Sequence, residues 1–382
     1  SPGFVLLHDV KWNGEAAAYR YLDDAKTVLE IPVDALAPGE EGKLYIRCVV
    51  QLPNCAHRTG YVDGTYHLGN VLPLLSVYEE GAWRQDAYTP VGDPFYSACA
   101  NFRIALHAPE DFTPVCSVPL QKEKDGVWRG EGLALRDVGL VLSREYAAPA
   151  EKQVGNTRVL SYAEEKAAAK RALEYAAAAL ETYESLYGDY PYETFSVCSA
   201  AFAPGAMEYP GMAVVDKKYF SGEMKDTLEL IIAHETSHQW FYALVGSDSV
   251  NQPWQDEALC EWAMLRFIEK RHGKTAAENL RYYRVDAPMQ EHIPGGLTPA
   301  SPLSYFSSLR DYRTIVYGRG AALLHGLDAF LPEGTDAFLK AYVEKYAFRI
   351  ATRSDFEQTL HACAQMDATP LVQDYLDTKM ME

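Results

Sequence analysis

Three features common in other proteins are missing from this sequence: paired cysteines, an excess of basic residues and a long apolar run. The seven cysteines are scattered and never form a CxxC pair, which argues against a cysteine zinc site and favours free thiols. The net charge of −18 argues against nucleic acid as a partner, because phosphates require a basic face. No apolar run approaches the roughly 20 residues that span a membrane, so we expect no membrane segment in this chain.

The composition is otherwise ordinary for a globular protein, with 48% hydrophobic and 23% charged residues. The length of 382 residues allows two or three domains and a sizeable core. No signal-like segment opens the chain. The cysteine pattern favours a cytoplasmic location without deciding it, since a leader or anchor outside this chain would place the protein elsewhere.

The most informative stretch is the motif His-Glu-Thr-Ser-His at residues 234–238. On a helix, His234 and His238 lie one turn apart on the same face, so both imidazoles can reach one ion. Glu235 lies about 100° further round the helix, which places it beside the open coordination position, where a metal-bound water would sit. Apolar residues on both sides predict a buried helix over residues 228–245. An unpaired polar group buried there costs roughly 2–7 kcal/mol, so the two histidines and the glutamate need a partner. We expect this partner to be one zinc ion.

A third zinc ligand is expected from a second helix, and Glu257 follows the motif after eighteen intervening residues. Two histidines and one glutamate are an established set for catalytic zinc, with water in the fourth position. Glu261, one turn further on, is either a solvated or helix-paired carboxylate or a group that supports a ligand histidine. Asp256 has the same two alternatives.

Three segments together resemble the zinc aminopeptidases of the aminopeptidase N type, a family that includes leukotriene hydrolase. They are the zinc motif with its flank Gln-Pro-Trp-Gln-Asp-Glu-Ala-Leu, Gly-Ala-Met-Glu-Tyr at residues 205–209, and Val-Tyr-Gly-Arg-Gly-Ala at residues 316–321. The resemblance covers roughly residues 160–378. It implies an α+β fold, in which an antiparallel β-domain precedes a thermolysin-like, mostly helical zinc metallopeptidase domain. We place the two domains at residues 1–155 and 156–382.

The resemblance also implies a substrate-binding segment made of Gly205, Ala206, Met207 and Glu208. In the family this glutamate meets the substrate's free α-ammonium group, and it thereby limits cleavage to single N-terminal residues. Without the resemblance, Glu208 would be interpreted as an exposed acid at the end of a strand. A polar residue of the β-domain is expected to help hold the amine, and Asp63 and His67 are the candidates.

Tyr317 is the implied hydrogen-bond donor to the oxyanion, at the start of a helix that continues to about residue 327. The alternatives are that Tyr317 is an aromatic packing residue and that its neighbour Tyr312 has the catalytic role. The sequence departs from the family at Tyr209, where asparagine is common, and at Tyr242 and Ala243, where glycine and asparagine are common. These departures concern the substrate pocket, and none removes a ligand or Glu235.

The order of predicted elements completes the interpretation. Short apolar runs punctuated by Gly, Pro and Asp predict strands before residue 150, and residues 151–160 look like a polar connector. A long alanine-rich helix is predicted over residues 161–188, followed by a buried strand over residues 194–202. The free edge of that strand is expected to bind a peptide substrate. Short amphipathic helices are predicted over residues 335–346 and 354–378.

The resulting prediction is a zinc metallopeptidase that removes single residues from peptides with a free N-terminus. A zinc-bound water attacks the scissile carbonyl, and Glu235 acts as general base. Two alternatives remain: a zinc hydrolase of a non-peptide substrate such as an epoxide, and a non-catalytic binding module. Because family members usually continue into a C-terminal helical domain, we expect this chain to be a fragment or a compact variant.

Overall fold

The computed structural model describes residues 2–292 and 295–378. Residues 1, 293, 294 and 379–382, which the predicted domain bounds include, lie outside the described residues. Strands dominate residues 2–149, which we name the β region, and helices dominate residues 150–378, which we name the C-terminal region.

The β region consists of short strands joined by turns. Its strands are β1 (Phe4–Trp12), β2 (Glu15–Ala16), β3 (Arg20–Tyr21), β4 (Leu29–Glu30), β5 (Leu44–Gln51), β6 (Thr59–Val62), β7 (Thr65–Leu68), β8 (Tyr78–Glu79), β9 (Ala82–Trp83), β10 (Ala100–His107), β11 (Thr113–Cys116), β12 (Gln121–Lys122), β13 (Val127–Leu135) and β14 (Leu140–Ser143). Their sheet orders are β2-β1-β5, β10-β13-β12, β11-β14-β7-β6, β3-β4 and β8-β9. These pairings are antiparallel, as predicted.

A mixed sheet opens the C-terminal region. Its strands are β15 (Ala150–Val154), β16 (Thr157–Tyr162), β17 (Thr194–Ala200), β18 (Ala206–Met207) and β19 (Met212–Asp216), in the order β15-β16-β17-β19-β18. The prediction of a polar connector over residues 151–160 is wrong, because these residues belong to the β15-β16 hairpin and bury Val154 and Val159. The predicted division between residues 155 and 156 falls in the turn of this hairpin. We propose a division before Ala150 instead, because both strands belong to the mixed sheet.

Helices pack on this sheet and make up the rest of the C-terminal region. They are α1 (Lys166–Tyr187), α2 (Lys225–Ser237), α3 (Trp254–His272), α4 (Lys274–Arg281), α5 (Ala287–Gln290), α6 (Leu309–Tyr312), α7 (Gly320–Asp328), α8 (Gly334–Tyr346), α9 (Arg353–Ala364) and α10 (Thr369–Leu376), with π-helical segments at Tyr282–Asp286 and Arg313–Arg319. Within the described residues, no helix combines the length and the hydropathy that crossing a membrane requires.

The alanine-rich helix α1 lies against the helix that carries the zinc motif. Ala172 and Ala176 are completely buried, and their small side chains allow the helices to pack closely. The Tyr183 hydroxyl donates a hydrogen bond to the Ala233 carbonyl of α2 at 3.0 Å. The helix begins at Lys166 rather than near residue 161, because residues 161 and 162 pair with β17.

Helix α2 is shorter than predicted. It ends at Ser237, whereas the apolar pattern predicts a helix through residue 245. The chain leaves the helix in wider turns, with hydrogen bonds from Ala243 N to His238 O at 2.9 Å and from Val245 N to Trp240 O at 3.0 Å. Tyr242 has a φ of +152°, in a region that glycine adopts more readily. The apolar residues are buried as expected, but in turns.

Arg136 of the β region fastens the two regions together. Its side chain is almost completely buried and donates hydrogen bonds to main-chain carbonyls: Tyr242 at 2.7 Å, Leu244 and Ser97 at 3.0 Å, and Arg349 at 2.6 Å. Hydrogen bonds to a charged group each contribute roughly 1.5–3 kcal/mol, and leaving such partners unmade costs free energy. Arg136 therefore holds the turn after the zinc motif in its unusual conformation.

We expect Arg136→Met to lower the free energy of unfolding by on the order of 3 kcal/mol, because buried carbonyls lose their donor. The matched control is Arg103→Met on β10, whose side chain is 86% exposed and whose removal should change stability by less than about 0.5 kcal/mol. Chemical denaturation measures both. Equal unfolding free energies for the two variants would contradict the anchoring role.

Candidate active site

Three potential ligand atoms from α2 and α3 converge on one point. His234 lies in the last turn of α2, His238 is the first residue after it, and Glu257 lies in the first turn of α3. Nε2 of His234 lies 3.1 Å from Nε2 of His238 and 3.2 Å from Oε2 of Glu257. Nε2 of His238 lies 3.4 Å from the same carboxylate oxygen. All three side chains are buried.

This triangle fits a zinc ion. Ligand atoms at 2.0–2.1 Å in tetrahedral geometry lie roughly 3.3 Å from one another, and the three observed distances of 3.1, 3.2 and 3.4 Å bracket that value. Three lone-pair atoms that face one point repel one another unless a cation or proton lies between them. The donor set of two imidazoles and one carboxylate is one that zinc accepts.

Two further carboxylates contact the outer nitrogens of the histidines. Asp256 Oδ1 lies 2.6 Å from His238 Nδ1, and Glu261 Oε1 lies 3.3 Å from His234 Nδ1. Glu261 is completely buried, so the solvated alternative for this residue is wrong. Arg284 donates hydrogen bonds to both Glu261 oxygens. Burial alone would raise the pKa of Glu261, but Arg284 and His234 lower it to about 2.

Glu235 and Glu208 line the same space. Ligand-type atoms of Glu208, Glu235 and His238 all lie within 4.8 Å of one another. Glu208 is buried, so the alternative of an exposed strand-end acid is wrong. One Glu235 oxygen is buried without a hydrogen-bond partner among the described residues. Burial raises the pKa of Glu235 to about 7, against the lowering effect of His234 and His238.

The predicted substrate-binding segment forms the outer strand of the mixed sheet. Gly205 has a φ of +105°, which suits the turn before Ala206 and Met207 form β18. In the described part of the chain, β18 pairs with β19 on one side only. The free edge predicted for residues 194–202 is wrong, because β17 lies between β16 and β19. The available edge belongs to β18, which ends at Met207, the residue before Glu208.

Tyr317 lies in a π-helical segment inside a longer helix, not at a helix start. Such segments occur frequently at functional sites. Its hydroxyl donates a hydrogen bond to Glu257 Oε1 at 2.5 Å, and its ring stacks on His234 with centroids 5.6 Å apart. Burial and the charge of Glu257 raise the pKa of Tyr317 well above its ordinary value, so the hydroxyl keeps its proton. Tyr312 packs edge-on against this ring.

Both candidates from the β region have other partners in the structure. Asp63 lies in an exposed turn and contacts Lys217 at 3.3 Å. His67 is completely buried and packs against Phe202. Polarity is the signal by which the sequence suggests Asp63 and His67, and polarity does not report which segments meet in space. His67 lies in strand β7, not in a loop.

The β-region groups near the site are Arg58 and Asp93, which the sequence interpretation missed. They form an ion pair in which both side chains are mostly buried. Burial is the main cause that raises the pKa of Glu208 well above its usual value, and the charge of Asp93 raises it further. The only local signal is that Asp93 lies in a Gly-Asp-Pro turn, which is a common loop pattern.

Comparisons with known proteins agree with this geometry. The model of the Peptidase family M1 domain matches residues 171–375. Aminopeptidase M1-A of Oryza sativa subsp. japonica is 24% identical over 354 residues, covering 86% of this chain and 39% of that protein. Aminopeptidase N of Lactobacillus helveticus is 24% identical over 405 residues, covering 98% of this chain and 46% of that protein. The chain thus spans less than half the length of these relatives.

Solved structures share the fold. The M1 zinc metallopeptidase from Deinococcus radiodurans superposes with a TM-score of 0.69 at 17% identity, covering 99% of this chain and 85% of that chain. Yeast LTA4 hydrolase in complex with bestatin gives a TM-score of 0.72 at 16% identity, covering 99% of this chain and 61% of that chain. The predicted α+β fold, with a β-domain before a thermolysin-like helical domain, is confirmed.

We expect Asp256→Asn to weaken zinc binding by roughly 10–100-fold, because the carboxylate that orients a ligand histidine is lost. Competition with a chromogenic chelator measures the affinity. Asp226→Asn, an exposed substitution in the first turn of α2, is the matched control and should bind zinc as the unmodified protein does. Equal zinc affinity of the two variants would remove the supporting role of Asp256.

Proposed function

The chain belongs to peptidase family M1, and from this membership and the site geometry we propose that it is a zinc-dependent aminopeptidase. The single observation that carries the proposal is the position of Glu208 and Glu235 within 4.8 Å of His238. Glu208, which suits a substrate ammonium group, thus lies next to Glu235, which suits proton transfer. Both lie next to a set of ligand atoms that suits zinc. The substrates would be peptides with a free N-terminus.

His234, His238 and Glu257 would hold one zinc ion, supported by Asp256 and Glu261. The ion supplies Lewis-acid chemistry, because it polarises a carbonyl and lowers the pKa of a water molecule towards about 7. The supporting carboxylates fix the histidine rings and their tautomers through the outer nitrogens. Arg284 balances the charge of Glu261, so that this carboxylate remains ionised in its buried position.

Glu235 acts as general base and then as general acid. The water oxygen bonds to the scissile carbonyl carbon while Glu235 takes the water's proton. As the carbon–nitrogen bond breaks, Glu235 passes this proton to the leaving amine. One of its buried oxygens has no hydrogen-bond partner among the described residues and can accept that proton. Proton transfer of this kind contributes typically about 10²–10⁴-fold to the rate.

Tyr317 donates a hydrogen bond to the oxyanion that develops on the carbonyl oxygen. Its raised pKa keeps the hydroxyl protonated, as a donor must be. In the present arrangement the hydroxyl binds Glu257, so the donor must turn from this carboxylate to the substrate during the reaction. A donor placed at an oxyanion contributes roughly 10²–10³-fold to turnover in a well-studied case.

Glu208 sets the register of cleavage. The edge of β18 would pair with the extended main chain of the substrate, and Gly205, Ala206 and Met207 form that edge and the turn before it. The substrate's ammonium group would end this pairing at the Glu208 carboxylate. Because Glu208 lies close to Glu235 and His238, only the first peptide bond reaches the reacting groups.

The non-peptide alternative receives no specific support from the site. The likeness to yeast LTA4 hydrolase, at 16% identity, concerns the fold. The same zinc site would serve an epoxide, so the hydrolysis of aminoacyl amides is the measurement that distinguishes the two activities.

The zinc-loaded protein should hydrolyse aminoacyl amides with a free amine and leave their acetylated counterparts intact, and a chelator should abolish turnover. Glu208→Ala should reduce this discrimination by roughly 10-fold or more, because it removes a charged hydrogen-bond partner of the ammonium group. Initial rates over the paired panel measure both effects. Equal turnover of free and acetylated members would indicate an endopeptidase, and no turnover of either would favour a non-peptide substrate or a binding role.

Glu235→Gln should keep its zinc and lose turnover by roughly 10²–10⁴-fold, because an amide cannot take up the water's proton. Elemental analysis and steady-state kinetics check the two parts. Glu223→Gln, an exposed change just before α2, is the control and should retain full activity. Substantial turnover by Glu235→Gln would remove the general-base assignment.

Tyr317→Phe should lower kcat by roughly 10²–10³-fold with a smaller change in KM, because its hydroxyl would act mainly in the transition state. Tyr312→Phe changes the neighbouring ring in the same way and should have a much smaller effect. Steady-state kinetics on zinc-loaded protein compares them. A larger loss in Tyr312→Phe would transfer the role to Tyr312.

A further inference from the structure

Tyr209, the residue after Glu208, lies in a slot made by two glycines of the β region. Its side chain is buried, with 2% of its surface exposed. A Cβ atom added at Gly69 would lie 1.7 Å from the Tyr209 hydroxyl, and one added at Gly139 would lie 2.5 Å from ring atoms of the same tyrosine. Non-bonded carbon atoms prefer roughly 3.5–4.0 Å, so the slot accepts this ring only while both positions are glycine.

The main chain around Tyr209 is held from the opposite side. Gln239, which directly follows His238, donates from Nε2 to the Tyr209 carbonyl at 3.2 Å. The Gly211 N–H donates to Oε1 of the same glutamine at 2.8 Å. The segment that carries Glu208 is therefore connected to the zinc motif through Gln239.

The residue before Glu208 also contacts the β region. Arg58 donates from Nε to Met207 Sδ at 3.3 Å. The guanidinium is in turn held by its ion pair with Asp93 and by the Gly92 carbonyl at 3.4 Å. Both neighbours of Glu208 are thus held by groups of the β region, one through a side-chain contact and one through a close steric fit.

We propose that Tyr209, seated between Gly69 and Gly139, is a positioning residue that aims the Glu208 carboxylate at the substrate's ammonium group. This inference rests on the proposed role of Glu208. A carboxylate's direction follows its main chain, and the main chain on the C-terminal side of Glu208 follows the Tyr209 ring. The β region thereby acts on amine recognition through a buried contact.

Two substitutions overfill the slot from different sides. Gly69→Ala and Gly139→Ala should each raise KM for a free-amine aminoacyl amide by roughly tenfold or more, because small displacements of a positioning group have large effects. The zinc content should stay complete, and kcat should change less than KM. Gly222→Ala is the matched control, because a Cβ atom there meets nothing within 4 Å, and its KM should be unchanged. Partial misfolding would lower the active fraction and hence the apparent kcat, but it would not raise KM.

A rescue experiment separates the two contacts. Tyr209→Phe removes only the hydroxyl, which has no hydrogen-bond partner among the described residues, so this variant alone should keep a normal KM. It should partly restore Gly69→Ala, whose added atom falls on the hydroxyl, with the ring carbon at 2.5 Å still too close. It should not restore Gly139→Ala, whose added atom falls on the ring.

The outcomes distinguish this inference from the proposed function. If the unmodified protein selects free amines and Glu208→Ala loses that selection, the proposed role of Glu208 stands. Normal KM values for both alanine variants would then overturn the positioning role alone, as would equal rescue of both by Tyr209→Phe. Should the alanine variants fail to fold, Tyr209→Leu empties the slot without overfilling it. It should raise KM, and an unchanged KM would overturn the inference.

Discussion

The convergence of buried ionisable groups where α2 meets α3 is the constraint on which the rest of the structure depends. Two imidazoles and a carboxylate lie within 3.4 Å of one another in a buried position. Burying such groups without partners costs several kcal/mol each. Each ring therefore has a carboxylate at its outer nitrogen, and each inner atom faces a point where a cation fits. The surrounding apolar core keeps these groups from turning to solvent.

The β region contributes to this arrangement by holding segments that lie next to the site. Arg136 binds the carbonyls of the turn after the zinc motif, and Tyr209 is wedged between two glycines of the β region. These contacts act on the two segments that flank the site, which are the turn after α2 and the residues directly after β18. The two regions therefore form the site together, even though the candidate ligand atoms all come from α2, from α3 and from His238, the residue directly after α2.

The charge of the site suits a cationic group. Glu208, Glu235 and Asp93 lie close enough to one another for the charge of Asp93 to raise the pKa of both glutamates, and among the described residues Asp93 is the one of the three that pairs with an arginine. Burial together with mutual repulsion raises the pKa values of Glu208 and Glu235. An ammonium group that enters between them would relieve this repulsion. The proposed selection of free amines would depend on the same electrostatics, because a blocked amine carries no charge.

Local spacing along the chain was enough to predict the features that depend on neighbouring residues. Residues four apart on a helix share a face, so His234 and His238 were predictable as a pair, and the α+β order followed from periodicity and family resemblance. Tertiary structure decided the end of α2, the π-helical position of Tyr317, the edge strand β18 and the slot of Tyr209. These features depend on contacts between residues far apart in the chain, such as Gly69 with Tyr209 or Arg136 with Tyr242. A local pattern carries no record of them, because their free energy arises only when separate segments pack together.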